Sequence, residues 1–352
     1  MPNYKRVLPK YFGEKIMALF KQRKKNFITL RQNQLSDLTF PQSNESRISA
    51  HLRALRPRQW TKNLIVFAGP FFAFNITAVS LLEASLAFVL FCFASSSFYL
   101  INDILDVESD RRHPVKCKRP IAAGLVSIPS AIAMAGILLT TALLVGWWKT
   151  PGLGAAILGY SLLQVAYNLQ LKHKVIVDVV AIAAGFLLRA LGGAAATGTN
   201  LSHWFLLCTG MLALFLGIEK RKAELRLSEI KGSKSRKVLE RYSLPLLNRM
   251  ESVVTNATII TYALWSSGPA VQGASTPWMM LTLPFVLYGV FRYQLLSDPH
   301  EIARRNPLLE QGGKTERPEE ILLGDRPLLI TVLSWVVVTF AILFLNHKVL
   351  ML

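Results

Sequence analysis

Acidic residues are scarce in this chain. Its 352 residues hold 21 Asp and Glu against 40 Lys and Arg, a formal net charge of +19. Charged residues of both signs reach only 17%, where soluble domains run nearer a quarter, which argues against an ordinary soluble enzyme. Cysteine is scarcer still. Cys92, Cys117 and Cys208 are odd in number and show no CxxC spacing, so neither a disulfide framework nor a cysteine metal site is expected. The first 30 residues lack an apolar core, so no cleavable signal peptide is expected either.

Apolar sequence is what the chain has in abundance, at 52%. A basic excess alone fits nucleic acid, a membrane surface or an anionic substrate. Apolar stretches of about 20 residues, the bilayer-spanning length, recur along the chain and decide for membrane over nucleic acid. The expectation is an all-α membrane protein with nine spans, near 61–78, 82–102, 128–147, 152–171, 176–197, 202–218, 250–267, 276–296 and 328–346. Gly69 and Pro70 interrupt the first, and Asn75 ends it early. Lys and Arg concentrate before span one and after spans two, four, six and eight, while the alternate linkers hold little beyond Glu83, Lys149 and His203. That alternation places the N-terminus in the cytoplasm and the C-terminus outside, in a multi-pass plasma-membrane protein.

Residues 1–50 read as a basic extension and linker ahead of a transmembrane domain over 51–352. In "YFGEKIMALFKQRKK", Phe12, Ile16, Leu19 and Phe20 recur at helical spacing among lysines and Arg23, which suits either an amphipathic helix on anionic membrane lipids or a basic tail.

The densest charge is "NDILDVESDRRHPVKCKRP", residues 102–120, directly after an apolar run. On a helix, Asp103 or Asn102, Asp106 and Asp110 would share one face a turn apart. Clustered carboxylates need a cation or basic partners. Oxygen ligands of this kind suit Mg²⁺, making Asn102, Asp103, Asp106 and Asp110 the candidate metal set. Arg111, Arg112, His113, Lys116, Lys118 and Arg119 follow, groups that bind phosphate. Together they make a cradle for a Mg-diphosphate, and the alternative for the basic residues is topology-setting.

The same side carries "YNLQLKHKVIVD", with Tyr167, Lys172, His173 and Asp178. Arg189 lies at membrane depth, where an ionisable group suggests function, or else a structural pairing with Asp178 through neighbouring helices. In "GIEKRKAELRLSE", Lys220 and Glu224 could form an i,i+4 surface pair. "RPEEILLGDRPLL" opens with a helix-start pattern at Pro318, Glu319 and Glu320, and Arg292, Asp325 and Arg326 could meet a polar substrate there.

With "LRALRPRQWTKNLIVF", "GFLLRALGG" and "HPVKCKRPIAAG", these stretches resemble the UbiA superfamily of membrane transferases, and within it the polyprenyl-phosphate phosphoribosyltransferases, over residues 51 to 347. The resemblance implies a nine-span bundle around a cavity open to the cytoplasm. It implies Mg²⁺-dependent transfer of phosphoribosyl from 5-phosphoribosyl 1-diphosphate to a polyprenyl phosphate, releasing pyrophosphate. It also implies Asp103, Asp106 and Asp110 as catalytic residues. Arg58, Lys62, Asn102, Arg111, Lys116, Arg119, Tyr167, Lys172, His173, Asp178, Arg189 and Lys220 would bind substrate. Members that transfer a prenyl group usually carry a second paired-acid motif, and only Asp178 stands near that place. The glycine-rich loop of soluble phosphoribosyltransferases is also missing. Prenyl transfer to an aromatic or other small acceptor is the alternative on the same fold, and an anion transporter the alternative from another class. The small-residue run "GFLLRALGGAAATG" serves packing within one bundle as readily as between copies, so a homo-oligomer stays open.

Overall fold

The computed structural model describes residues 46–113, 115–231, 238–298, 301, 304, 321 and 324–351. By compactness the chain divides into Met1–Arg47 and Ile48–Leu352, and the helical bundle is the second unit. The basic segment at 11–25 and the helix start at Pro318 lie outside the described residues.

Regular structure among the described residues is helical throughout. In chain order it comprises α1 (Arg47–Ala54), a 3₁₀ segment (Pro57–Phe67), α2 (Ala68–Phe72), α3 (Ala78–Leu105), α4 (Val107–Arg111) and α5 (Ile128–Lys149). Then come α6 (Pro151–Leu169), α7 (Val177–Thr197), α8 (His203–Lys231), α9 (Leu244–Ser266), α10 (Leu283–Ser297) and α11 (Arg326–Met351). The long helices start where the sequence supplies caps. Thr77 and Ser80 form a capping box on α3, while Ser127, Thr150 and Ser243 cap α5, α6 and α9, each with proline in the first turn. A side-chain oxygen satisfies an orphan N–H, and proline occupies a position where its missing N–H costs nothing.

Among the described residues six stretches are long and apolar enough to cross a membrane: Ala78–Leu105, Ile128–Lys149, Val177–Thr197, His203–Arg226, Pro277–Ser297 and Arg326–Val349. Many of their apolar side chains face outward, among them Ile132, Ile137, Leu144, Leu333 and Val337. This is a multi-pass membrane protein. Helices α6 and α9, at 19 and 23 residues, also have the length of spans. The first expected span is not one continuous helix. Residues 57–67 wind as a 3₁₀ segment, α2 adds five residues, and Phe74 turns the chain at φ 51° before α3.

Among the apolar clusters that hold the bundle, two join helices far apart in the chain. Leu90, Phe91 and Ala94 of α3 pack with Leu153, Ile157 and Tyr160 of α6, and Phe205, Tyr262, Trp265 and Met279 pack with Leu343 of α11. The 3₁₀ segment seats on α7 at Gly193, where a Cβ would stand 2.0 Å from the Val66 carbonyl oxygen. Only glycine permits that approach.

Candidate active site

Charged side chains of α8 join neighbouring helix ends: Arg221 reaches Asp178 at the start of α7 and Tyr167 near the end of α6, and Arg226 reaches the Ser297 carbonyl at the end of α10. Helix α3 stops at Leu105, and Asp106 turns the chain (φ −97°, ψ 6°) into α4. That break corrects the expected single face of carboxylates. Asp103 and Asp110 turn inward and are buried, while Asp106 is exposed. Arg119 reaches both buried acids, with Nη1 donating to Asp110 Oδ2 at 2.6 Å and to Asp103 Oδ1 at 3.1 Å. Arg56, which the sequence did not single out, donates to Asp103 Oδ1 at 2.5 Å and lies over the Tyr99 ring. It does so from a left-handed backbone, φ 56° and ψ 59°, at the junction of α1 and the 3₁₀ segment. Among the described residues no group of three or more His, Cys, Asp or Glu converges closely enough to hold a metal alone.

A second network lies across the cavity. Asp178, fully buried at the start of α7, accepts from Arg221 Nε at 2.7 Å and from the Tyr242 hydroxyl at 2.8 Å. Arg221 also pairs with Glu224 and donates to the Tyr167 hydroxyl at 3.2 Å. Tyr242 in turn accepts the Ile176 N–H at 2.7 Å. Burial, with Asp178 alongside, pushes the Tyr242 phenol above its ordinary pKa. Glu224 thus joins this network through Arg221.

Arg189 does not pair with Asp178. Its Nε donates to Asn63 Oδ1 at 2.6 Å, Nη1 to the Gly185 carbonyl at 2.8 Å and Nη2 to the Tyr160 hydroxyl at 2.9 Å. Arg292 and Asp325, expected to face substrate, form a two-pronged pair at 3.1 and 3.0 Å, and Asp325 caps the Leu328 N–H. Their polar heads meet each other. A further buried group, Lys222 between Glu219 and Glu251, joins α8 to α9.

Between the networks lies a cavity of about 760 Å³. Lys62, Asn102, Tyr167, Asn168 and Lys220 line its polar part, Arg189 its middle, and Phe72, Phe205, Trp265 and Trp335 its apolar part. Of the expected substrate-binding residues, the structure therefore brings Lys62, Asn102, Tyr167, Arg189 and Lys220 to one cavity. The other seven do not line it: Arg58, Arg111 and His173 are exposed, Lys116 and Lys172 half-buried, Arg119 is held by Asp103 and Asp110, and Asp178 is spent on Arg221 and Tyr242. Arg56, Lys222 and Tyr242 escape sequence reasoning, and Arg221 reads there only as part of a helix continuing into the cytoplasm. Basic residues at helix ends are common, and nothing local marks which ones turn inward.

Comparison with known proteins places this architecture. The model of the UbiA prenyltransferase family matches residues 64–309. The chain is 38% identical over 303 residues to the decaprenyl-phosphate phosphoribosyltransferase of Mycolicibacterium smegmatis, covering 82% of this chain and 91% of that one. It is 36% identical over 309 residues to the protein of the same name from Mycobacterium tuberculosis, covering 86% and 97%. The fold is shared with a UbiA homolog from Archaeoglobus fulgidus solved with DMAPP and Mg²⁺, at TM-score 0.61 and 20% identity over 83% of this chain and 98% of that one. The same homolog solved with GPP and Mg²⁺ gives TM-score 0.61 and 21% identity over 83% and 99%. A helical membrane bundle, a cavity walled by α3, α6, α7 and α8, and a family match over most of the chain agree: this protein belongs to the UbiA prenyltransferase family.

Proposed function

We propose that the protein transfers 5-phosphoribosyl from 5-phosphoribosyl 1-diphosphate to a polyprenyl phosphate in the plasma membrane, releasing pyrophosphate. The observation that carries this reading is the cavity wall. It presents three cationic side chains, Lys62, Arg189 and Lys220, and no carboxylate among the lining residues, beside an apolar chamber. Such a wall suits two anions, one of them with a hydrocarbon tail. The relatives named decaprenyl-phosphate phosphoribosyltransferase, aligned over nearly their whole length, support the same reading.

In the reaction an oxygen of the acceptor phosphate forms a bond to ribose C1. The bond from C1 to the diphosphate oxygen breaks, and its electron pair leaves with pyrophosphate. The phosphate nucleophile is already an anion and needs no general base. Lys62 and Lys220 neutralise the diphosphate as its charge grows, and Tyr167 and Asn168 orient it. Arg119 holds Asp103 and Asp110 in place, and Arg56 helps it hold Asp103.

The donor set fits Mg²⁺. Asn102 at the wall and exposed Asp106 offer hard oxygens, with Asp103 and Asp110 next to them. Too few of these converge to hold the ion alone, so substrate phosphate oxygens would complete its shell. Bound there, Mg²⁺ neutralises diphosphate charge. Nine membrane passes, with the 3₁₀ segment and α2 as the first, the N-terminus in the cytoplasm and the polar mouth facing it, complete the reading.

Prenyl transfer is the second reading, because the solved neighbours hold prenyl diphosphates with Mg²⁺. Purified protein, radiolabelled 5-phosphoribosyl 1-diphosphate, a polyprenyl phosphate and Mg²⁺ decide. Label entering the lipid supports phosphoribosyl transfer. No label, with Mg²⁺-dependent turnover of a prenyl diphosphate, overturns it in favour of prenyl transfer.

A further inference from the structure

Arg189 is 6% exposed, yet among the described residues no carboxylate lies within ion-pair distance of it. All three of its partners, Asn63, Gly185 and Tyr160, are neutral. A buried guanidinium without a counter-ion is costly, more so at membrane depth. Of its five N–H groups three are used. The remaining two, one on each terminal nitrogen, carry no hydrogen bond among the described residues. That pair is the fork that grips phosphate oxygens two at a time.

Its depth identifies which phosphate. The guanidinium folds back over Gly185, seven residues along α7 from Asp178, and Tyr160 stands seven residues from Tyr167 on α6. Each interval is about 10 Å of helix, so Arg189 lies about 10 Å below the polar mouth. Immediately beyond it the wall turns apolar, since Ala190 already packs in the cluster of Phe205, Tyr262 and Trp265. A water-borne donor carrying a diphosphate belongs at the mouth, with Asn102 and Lys220. A lipid whose tail fills the apolar chamber brings its charged end to the boundary, where Arg189 stands.

Resting on the phosphoribosyl-transfer reading, we propose that Arg189 is the acceptor-phosphate subsite: it draws the lipid's phosphate below the membrane surface and holds it beneath the donor. Asn63 and Tyr160 position the guanidinium, with Tyr160 also stacked on it at 4.5 Å.

The test compares a polyprenyl phosphate with the polyprenol of the same chain length. Full-length protein in detergent is titrated with each, and fluorescence of Trp265 and Trp335, which line the chamber, reports binding. Wild type should bind the phosphate at least about tenfold more tightly, the yield of one charge-assisted bidentate contact. Arg189→Gln should lose that preference, and Arg189→Lys should keep most of it. Asn63→Asp, nearly isosteric, should lose it by occupying the guanidinium with a carboxylate, and it decides the matter if Arg189→Gln does not fold. In transfer assays Arg189→Lys should raise KM for the polyprenyl phosphate while moving that for the donor less than about twofold. Equal binding of both lipids by wild type, or a preference retained in Arg189→Gln or Asn63→Asp, overturns the assignment. A wild type that shows the Arg189-dependent preference but transfers no phosphoribosyl overturns the function proposed above and leaves this subsite standing.

Discussion

The Tyr242 hydroxyl donates to Asp178 Oδ1 at 2.8 Å while accepting the Ile176 N–H at 2.7 Å. One phenol thus ties the start of α7 to the loop carrying Lys172 and His173, and does so at a strained point. Ile176 is β-branched and sits at φ 70°.

Tyr242→Phe should therefore loosen that loop. It leaves the Ile176 N–H and one Asp178 oxygen unsatisfied, a loss of about 1–3 kcal/mol. Thermal unfolding of the two proteins measures it. The phenol's folded pKa is raised, so its contribution is full below the ordinary tyrosine value of about 10 and fades only as pH climbs through the higher folded value. The difference in Tm between wild type and variant should hold from pH 6 to pH 9 and shrink only in strongly alkaline buffer. A difference that collapsed near neutrality would contradict the assignment.

Arg119→Ala should be far more damaging than its half-exposed position suggests. It strips a cation from two carboxylates that are almost wholly buried, Asp103 and Asp110. Leaving buried charge unpaired costs about 3–5 kcal/mol. Adding Asp110→Asn should restore part of the lost stability, because it removes one orphaned charge. A double variant no more stable than the single one would argue that the bridge matters little to folding.

Asp106→Asn separates metal chemistry from structure. Asp106 is exposed, so stability should change by no more than about 0.5 kcal/mol. Transfer should fall by about 100-fold or more, the usual scale for losing a catalytic electrostatic contact, and the Mg²⁺ concentration for half-maximal activity should rise. Unchanged activity would remove Asp106 from the metal set.

Gly193→Ala should block seating of the 3₁₀ segment on α7, since its methyl would meet the Val66 carbonyl oxygen at 2.0 Å. Overpacking of this kind costs about 1–3 kcal/mol, and backbone cannot step aside as a side chain can. Size-exclusion profiles after graded heating should show earlier aggregation than wild type.

The long apolar helices were legible because hydrophobic runs and capping residues are local signals. Thr77, Ser127, Thr150 and Ser243 each announce a start. The first span is read with an interruption at Gly69 and Pro70, but those residues lie inside α2, and nothing local says that residues 57–67 ahead of them wind as 3₁₀. The charged motif at 102–120 was found as a cluster, but its geometry was not. A straight helix would have put Asp106 beside Asp103, and the turn after Leu105 separates them. Arg189 was noticed for its depth, and its lack of a carboxylate appeared only once Asp178 was seen bound to Arg221. Tyr242 carried no signal at all, since its partners lie 64 and 66 residues away.

The 3₁₀ segment repeats every three residues, so side chains three apart stack in line. Trp60, Asn63 and Val66 form one such row, bonded or packed against the bundle at Ser96, Arg189 and Gly193. Thr61, Lys62, Leu64 and Ile65 lie on the other two rows and line the cavity. One inserted residue anywhere between Pro57 and Trp60 would turn the downstream stack by about 120°. Asn63 would swing off Arg189, and a cavity residue would be driven into the bundle. The segment works as a keyed shaft, and length variation among functional relatives should skip this stretch and collect in the connecting loops.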